Sequence, residues 1–202
     1  MPRRKIKNPL ALAVLALLAE QPRHPYDMGR IMKERRKEQS INLNYGSLYM
    51  VVEQLTKVGF IKAEETIRDA SRPERTVYAL TDAGRTELYD WMRELISIPS
   101  KEFYTFEAGL ALIGVLSPKE ALSLLKERFE RLVAHNNETH QQIESALASG
   151  LDPAFLVELE YRLTLDEAEQ HYVERLIDRI MNDLDFARDW RIQHQEQEER
   201  NK

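Results

Sequence analysis

The sequence predicts a mainly α-helical protein: an N-terminal winged helix-turn-helix with a two-stranded wing, followed by a C-terminal all-helical dimerisation domain. Three helix patterns precede two short stretches of β-branched and aromatic residues that end before residue 81. Two long helical patterns follow a short linker near residue 99. The predicted boundaries are 1–98 for the winged domain, 99–190 for the helical domain and 191–202 for a polar tail that should fray.

Composition indicates a globular protein without disulfides. Hydrophobic residues make up 43% and charged residues 31% of 202 residues, and no cysteine is present, which excludes thiolate metal sites. The apolar run from Leu10 to Ala19 has about half of the roughly 20 residues that a membrane span needs. We therefore expect a cytoplasmic protein with no membrane association.

Charge is divided unevenly along the chain. Residues 1–80 contain 15 Lys and Arg against 9 Asp and Glu, a balance of +6, whereas residues 81–202 contain 14 against 25, a balance of −11. Such a split favours an N-terminal half that meets a polyanion. Ordinary solvated surface charge is the alternative.

Start signals define the first two helices. Asn8-Pro9 supplies an N-cap and a proline at the first helical position, and the helix from Leu10 to Glu20 is apolar on nearly every side, which predicts a central position. His24-Pro25 starts a second helix, which ends in the basic run 33–37.

The third helix has one apolar face and a polar front. Gly59, which can adopt the left-handed C′ conformation, should end it. The polar groups at its N-terminus are Asn42, Asn44, Gly46, Ser47 and Tyr49, and its apolar face comprises Leu48, Val51, Val52, Leu55 and Val58.

Two short strands, 60–64 and 76–80, should form a hairpin whose connection, 68–75, carries three arginines. Thr81 then caps a fourth helix that ends near Pro99. Three helices followed by a basic hairpin constitute a winged helix-turn-helix.

The C-terminal half should form two long helices. Ser117-Pro118 and Asp152-Pro153 are the start signals. Their apolar stripes are narrow, so the two helices alone should not enclose a core, and a second copy of the same pair is the simplest partner. The residues assigned to this homodimer interface are Leu125, Phe129, Leu132, Leu163, Tyr172, Leu176 and Ile180.

Enzyme chemistry finds little support in the sequence. Seven glycines provide no phosphate-cradling loop, and Tyr45-Gly-Ser-Leu-Tyr49 lacks the second glycine of a nucleophile elbow. The five histidines lack the helical spacing of metal ligands. We expect no catalytic residue, no cofactor and no metal.

Nucleic-acid binding needs a helix N-terminus, a positive field and an element that reaches the DNA backbone or minor groove. The N-terminal half offers all three, the last in the tip of the hairpin. Alternatives stay open for each part: Ser47 as an ordinary first-turn residue, Tyr49 as a core ring, and the hairpin arginines as a solvated turn. The residues assigned to DNA are Asn44, Gly46, Ser47 and Tyr49 of the third helix, Lys33 and Arg36 of the second, Arg68, Arg72 and Arg75 of the wing, and Arg3, Arg4 and Lys5.

Four aromatic residues cluster in sequence around the linker: Trp91, Phe103, Tyr104 and Phe106. Ligand pockets often form at such junctions, so these rings are candidates for an effector pocket. Simple packing between the domains is the alternative for each ring.

These residues also carry a family resemblance. Gly46-Ser-Leu-Tyr49, with Leu55 and Gly59-Phe-Ile61, resembles the recognition helix of PadR-family transcriptional regulators, and Arg72-Pro-Glu-Arg with Tyr78-Ala-Leu-Thr-Asp-Ala-Gly84 resembles their wing and following helix. Residues 103–132 resemble the helical domain of the longer members, the subfamily of the phenolic-acid-responsive repressor. Met50 and Ser71 depart from the family pattern, which bears on the DNA sequence read and on the bend of the wing.

The resemblance implies a homodimeric repressor that binds a palindromic operator in double-stranded DNA and releases it when a small aromatic effector binds. The rival hypothesis is a winged-helix adaptor that binds an acidic protein partner. Steep salt dependence of binding to duplex DNA distinguishes the two, because counterion release scales with the number of phosphates contacted.

Overall fold

The computed structural model describes residues 6–67, 75–183 and 185–200, and it divides into two compact units, 1–101 and 102–202. The first unit has the predicted winged-helix elements, and the divide lies three residues beyond the predicted boundary after residue 98. Its elements are helices α1 (Pro9–Glu20), α2 (Pro25–Glu34) and α3 (Tyr45–Lys57), strands β1 (Ile61–Ile67) and β2 (Arg75–Leu80), and helix α4 (Asp82–Ser97).

Side-chain caps place the helix starts where the sequence predicts them. The Asn8 side-chain oxygen accepts a hydrogen bond from the backbone N–H of Leu10 at 3.0 Å, and the His24 ring accepts one from Tyr26 at 3.1 Å. The Thr81 hydroxyl accepts from the Gly84 N–H at 3.1 Å and donates to the carbonyl oxygen of Gly59 at 2.8 Å. Thr81 therefore ties the start of α4 to the end of the α3–β1 turn.

Helix α1 lies at the centre of this unit, as its all-round apolar character predicts. Gly84 lets α4 approach the backbone just before β1 closely, because a Cβ at that position would lie 2.0 Å from the backbone oxygen of Phe60. The core residues come from α1, α2, α3, β1 and α4: Leu10, Ala11, Val14, Leu15, Leu17, Leu18, Met28, Ile31, Met32, Leu48, Val51, Val52, Leu55, Ile61, Leu88 and Trp91.

The second unit is built from helices in its described part. They are α5 (Thr105–Ala111), α6 (Pro118–Ala148), α7 (Val157–Asn182) and α8 (Arg188–Arg200). The Ser117 hydroxyl caps α6, as the sequence predicts. Asp152-Pro153, however, opens only a 3-10 turn, Pro153–Phe155, and α7 begins after it.

The frayed tail expected for 191–202 is wrong for residues 191–200, which belong to α8. Long-range side-chain bonds hold this polar helix in place. Trp190 donates to the carbonyl oxygen of Leu116 at 2.8 Å, Arg191 donates to that of Ile180 at 2.6 Å, and His194 Nε2 lies 2.9 Å from that of Gly114. Within the described ranges, no helix is long and apolar enough to cross a membrane.

Candidate nucleic-acid interface

Helix α3 is anchored by one face and exposed on the other. Its buried residues are Leu48, Val51, Val52 and Leu55. The Asn44 side-chain oxygen accepts a hydrogen bond from the backbone N–H of Ser47 at 2.7 Å and so caps the helix. Asn44 therefore sets where α3 begins, and its assignment to DNA stays a prediction.

The outward face of α3 carries the side chains that the sequence assigns to DNA. Tyr49 is 48% exposed, so the alternative that it is a core ring is wrong. Gly46 is exposed and Ser47 is half-buried at the front of the helix. Met50, which the sequence pattern did not assign to the site, is 59% exposed.

Contacts of the Tyr45 ring fix the first turn of α3 against α2. The ring of Tyr45 stacks on that of Tyr26 with centroids 5.9 Å apart, and the Lys33 ammonium lies 5.0 Å above the Tyr45 ring. A Cβ on Gly29 would lie 2.6 Å from Tyr45 Cε1, so the ring occupies the space that this glycine leaves. No sequence pattern indicates this contact, because it depends on how two helices cross.

Cationic side chains lie at and just beyond the end of α2. Lys33 and Arg36 are both exposed, and Arg36, the second residue after α2, has a left-handed backbone with φ of 54°. Arg35 bonds to Glu20 of α1, and this hydrogen bond holds the pKa of the Glu20 carboxyl below its usual range. Because Arg35 is paired with a carboxylate, Lys33 and Arg36 are the cations better placed for phosphate.

The wing is an antiparallel hairpin whose register pairs Ile61 with Leu80 and Ile67 with Arg75, with an irregularity between Ala63 and Glu65. Arg75 thus begins β2. Its connecting residues, 68–74, lie outside the described part of the chain, and with them Arg68 and Arg72; the N-terminal Arg3, Arg4 and Lys5 also lie outside it. Their assignment to DNA stays a prediction.

The residues predicted to form the dimer interface are mostly buried within one chain. Leu125, Leu163, Leu176 and Ile180 are each 9% exposed or less, and three of them join Val173 in a cluster between α6 and α7. Phe129 and Leu132 pack against the same cluster. The interface assignment is therefore corrected for the four buried leucine and isoleucine side chains, which have almost no surface left for a partner. Tyr172 is 43% exposed, and its assignment to the dimer interface stays a prediction.

Polar pairs join the middle of α6 to α7. The closest link is the Arg128 guanidinium to the Glu169 carboxylate at 2.6 Å. Asn136 is 4% exposed and donates to Gln170 at 2.8 Å, yet its buried Oδ1 has no hydrogen-bond partner among the described residues. The remaining pairs are His140 with Glu167 at 2.9 Å and His135 with Asp166 at 3.6 Å.

A second apolar stripe runs along the exposed side of α7. At about 100° of rotation per residue, the stripe spans about 80° of the helix circumference. It lies about 140° around the axis from the side that faces α6. Val157, Tyr161 and Tyr172 are 61%, 64% and 43% exposed. Sequence periodicity alone did not separate this stripe from the one that faces α6. Its members are Val157, Tyr161, Leu165, Ala168 and Tyr172.

The four candidate effector rings have different surroundings. Trp91 belongs to the core of the first unit. In the second unit, Phe103 is 85% exposed, Tyr104 is about half exposed, and the Phe106 ring lies 3.7 Å from the Arg128 guanidinium. A pocket formed by these rings stays a prediction. Among the described residues, no group of three or more His, Asp or Glu side chains could hold a metal ion.

Comparison with known proteins matches residues 14–90 to the family model "Transcriptional regulator PadR-like family". The negative transcriptional regulator PadR of Bacillus subtilis (strain 168) is 30% identical over 146 residues, which cover 72% of this chain and 79% of that protein.

Two solved structures share the fold. The crystal structure of Bacillus subtilis PadR in complex with operator DNA is 25% identical, with a TM-score of 0.68, and the match covers 86% of this chain and 99% of that one. The structure of the same protein with p-coumaric acid is 24% identical, with the same TM-score and coverage, and shows the likeness of fold. The winged-helix unit agrees with the sequence match to Bacillus subtilis PadR, which covers most of both chains. The chain therefore belongs to the PadR-like family of transcriptional regulators.

Proposed function

We propose that this protein is a homodimeric transcriptional repressor that binds a palindromic operator and releases it when a small aromatic effector binds. The observation that carries the DNA-binding part is the exposed face of α3. It presents Tyr49 and Gly46 outward from a helix that is anchored on its other side, with Lys33 and Arg36 nearby. A regulator of this kind works on chromosomal DNA in the cytoplasm.

The groups on this surface suit a DNA groove. The first-turn N–H groups of α3 favour phosphate oxygens, and the Tyr49 hydroxyl can donate to one. Lys33 and Arg36 add positive charge beside that helix, which strengthens binding to a polyanion and makes it depend on salt. Bacillus subtilis PadR has been crystallised on operator DNA, which supports the same partner here.

Selection of bound duplexes from random DNA, followed by affinity measurement over a range of salt, tests this function. We expect enrichment of an inverted repeat and a logarithmic salt slope of about 0.9 for each phosphate contacted. If no sequence is enriched and duplex binding is weak at every salt concentration, the adaptor hypothesis replaces this one.

The exposed stripe on α7 supports the homodimer. Apolar side chains on a surface helix at this spacing commonly pack against another chain, and a symmetric pair buries the same stripe on both copies. Replacing both Tyr161 and Tyr172 with glutamate should convert the dimer to a monomer in sedimentation equilibrium. Met181→Glu is the matched control, since Met181 is also exposed on α7 but lies outside the stripe.

Loss of the dimer should also weaken operator binding, because each half-site then binds alone. A double variant that still sediments as a dimer would show that another surface joins the copies.

The effector part is supported by the phenolic acid present in the Bacillus subtilis PadR structure. We expect p-coumaric acid to lower the affinity for the selected duplex, and the duplex to lower the affinity for p-coumaric acid by the same factor, as linkage requires. Binding of the acid with no change in DNA affinity would refute the coupling.

A further inference from the structure

The exposed face of α3 contains one wholly apolar side chain, that of Met50, and α3 lies wholly within the described residues. Its other exposed residues are Gly46, Tyr49, Glu53, Gln54, Thr56 and Lys57. Met50 is 59% exposed, although a thioether side chain gains nothing from contact with water. A surface that otherwise carries polar or small groups therefore has an apolar point at its centre.

The position of Met50 on the helix shows where it points. At about 100° of rotation per residue, Met50 lies within about 40° of Gly46 around the axis and almost opposite the middle of the buried face. Gly46 has no side chain, and a Cβ built there would meet only the Asn44 side-chain oxygen at 3.5 Å. The protein itself therefore does not require a glycine at this helical position.

In a helix interior glycine is less stable than alanine by about 1 kcal/mol. Gly46 is the second residue of α3, so its cost is smaller, but no contact within the protein requires it. A glycine at the front of an exposed helix lets the backbone approach a ligand closely. If that ligand is DNA, Gly46 brings the next turn of the same face, and so Met50, within reach of the base edges.

The major groove offers one apolar group to such a side chain. Each base pair displays donors and acceptors there, and thymine alone adds a C5-methyl group, which apolar side chains contact. We infer that Met50 is a specificity-determining residue that recognises a thymine methyl group in each operator half-site. The inference rests on the proposed function, which it deepens by naming what α3 reads.

Removal of the thymine methyl groups tests this directly. Duplexes selected by the wild-type protein are amplified with deoxyuridine in place of thymidine, which keeps base pairing and deletes only the methyl. Affinity should fall by about fourfold for one methyl group and by about fifteenfold when the methyl groups facing both subunits are removed.

Two variants of one residue make the assignment specific. Met50→Leu keeps an apolar side chain and should keep the preference for thymidine over deoxyuridine. Met50→Gln has a similar length but a polar end and should bind the two duplexes equally. Circular dichroism melting of both variants checks that α3 remains folded, as expected for an exposed side chain.

The outcomes separate this inference from the proposed function. If the wild-type protein enriches no duplex from the random pool, both the proposed function and the inference are refuted. Equal affinity of the wild type for the two duplexes would refute the role of Met50 alone. A thymidine preference that Met50→Gln retains would assign the methyl contact to another residue and would equally overturn the inference.

Discussion

Gly29→Ala tests how α2 holds the front of α3. The added Cβ would lie 2.6 Å from Tyr45 Cε1, 3.2 Å from Tyr45 Cζ and 3.3 Å from Leu48 Cδ2. The first distance is shorter than real carbon contacts, so the aromatic ring must move. The ring is held by Tyr26 on its stacking side and by the Lys33 ammonium above it, which leaves it little room.

Two opposing terms set the size of the effect. Alanine is favoured over glycine in a helix by about 1 kcal/mol. Overpacking of a well-filled contact costs about 1–3 kcal/mol. We therefore expect Gly29→Ala to lower the free energy of unfolding of the first unit by about 1 kcal/mol. Gly109→Ala is the control, because Gly109 is also helical but has no atom within 4 Å of its added Cβ, and this variant should be neutral or stabilised.

Amide hydrogen exchange of the α1–α3 peptides measures the destabilisation of this unit separately from the rest of the chain. Tyr45 is the first residue of α3, so its displacement should also weaken DNA binding, by about fivefold for each subunit in which one hydrogen bond at the front of the helix is broken. Adding Tyr45→Leu to Gly29→Ala should restore stability, because the smaller side chain removes the clash. A Gly29→Ala protein that gains as much stability as Gly109→Ala would refute the reasoning.

Other single and double substitutions test the remaining features of the two units. Tyr49→Phe should weaken DNA binding by about 1 kcal/mol, equally for every operator variant, while the melting temperature stays unchanged; a lower melting temperature with intact affinity would contradict this. Arg36→Gly should relieve the left-handed backbone and raise stability by about 1 kcal/mol, yet weaken DNA binding and reduce the salt slope by about 0.9 for each phosphate that Arg36 neutralises; an unchanged slope would show that Arg36 does not bind DNA. Replacing Asn136 and Gln170 together with leucine should stabilise the second unit by about 1 kcal/mol or more, because it removes the buried Oδ1 that lacks a partner among the described residues; a less stable double variant, in denaturant unfolding, would show that another group pairs with it.

The first unit could be predicted closely because its signals are local. Asn8, Thr81 and the proline of α1 mark helix starts within a few residues, and the apolar face of α3 repeats at helical spacing. The wing strands were also predicted, to within three residues at each end. The contact between Gly29 and Tyr45 could not be predicted, because residues on two helices meet only once the crossing angle is known.

The second unit was predicted less well for a related reason. Helix α8 is strongly polar, and the bonds that hold it reach residues up to 80 positions away, so no local pattern indicates it. The sequence predicted one apolar stripe on α7, which joined Tyr172 and Ala168 to the buried Leu176 and Ile180, because periodicity identifies apolar positions and not their partner. It could not tell that Leu176 and Ile180 pack on α6 of the same chain while Tyr161 remains outside.

The division of α7 into two faces gives the proposed homodimer a physical reason. In the α6–α7 contact, partly exposed ion pairs such as Arg128–Glu169 lie beside the apolar cluster, and such pairs contribute about 0–1 kcal/mol each. The buried Oδ1 of Asn136, which lacks a hydrogen-bond partner among the described residues, lowers the stability of the contact. A second copy that covers Tyr161 and Tyr172 buries apolar area that the α6–α7 pair leaves exposed. Folding of this unit and assembly of the dimer are then linked, so a change in the polar pairs should alter operator affinity through protomer association.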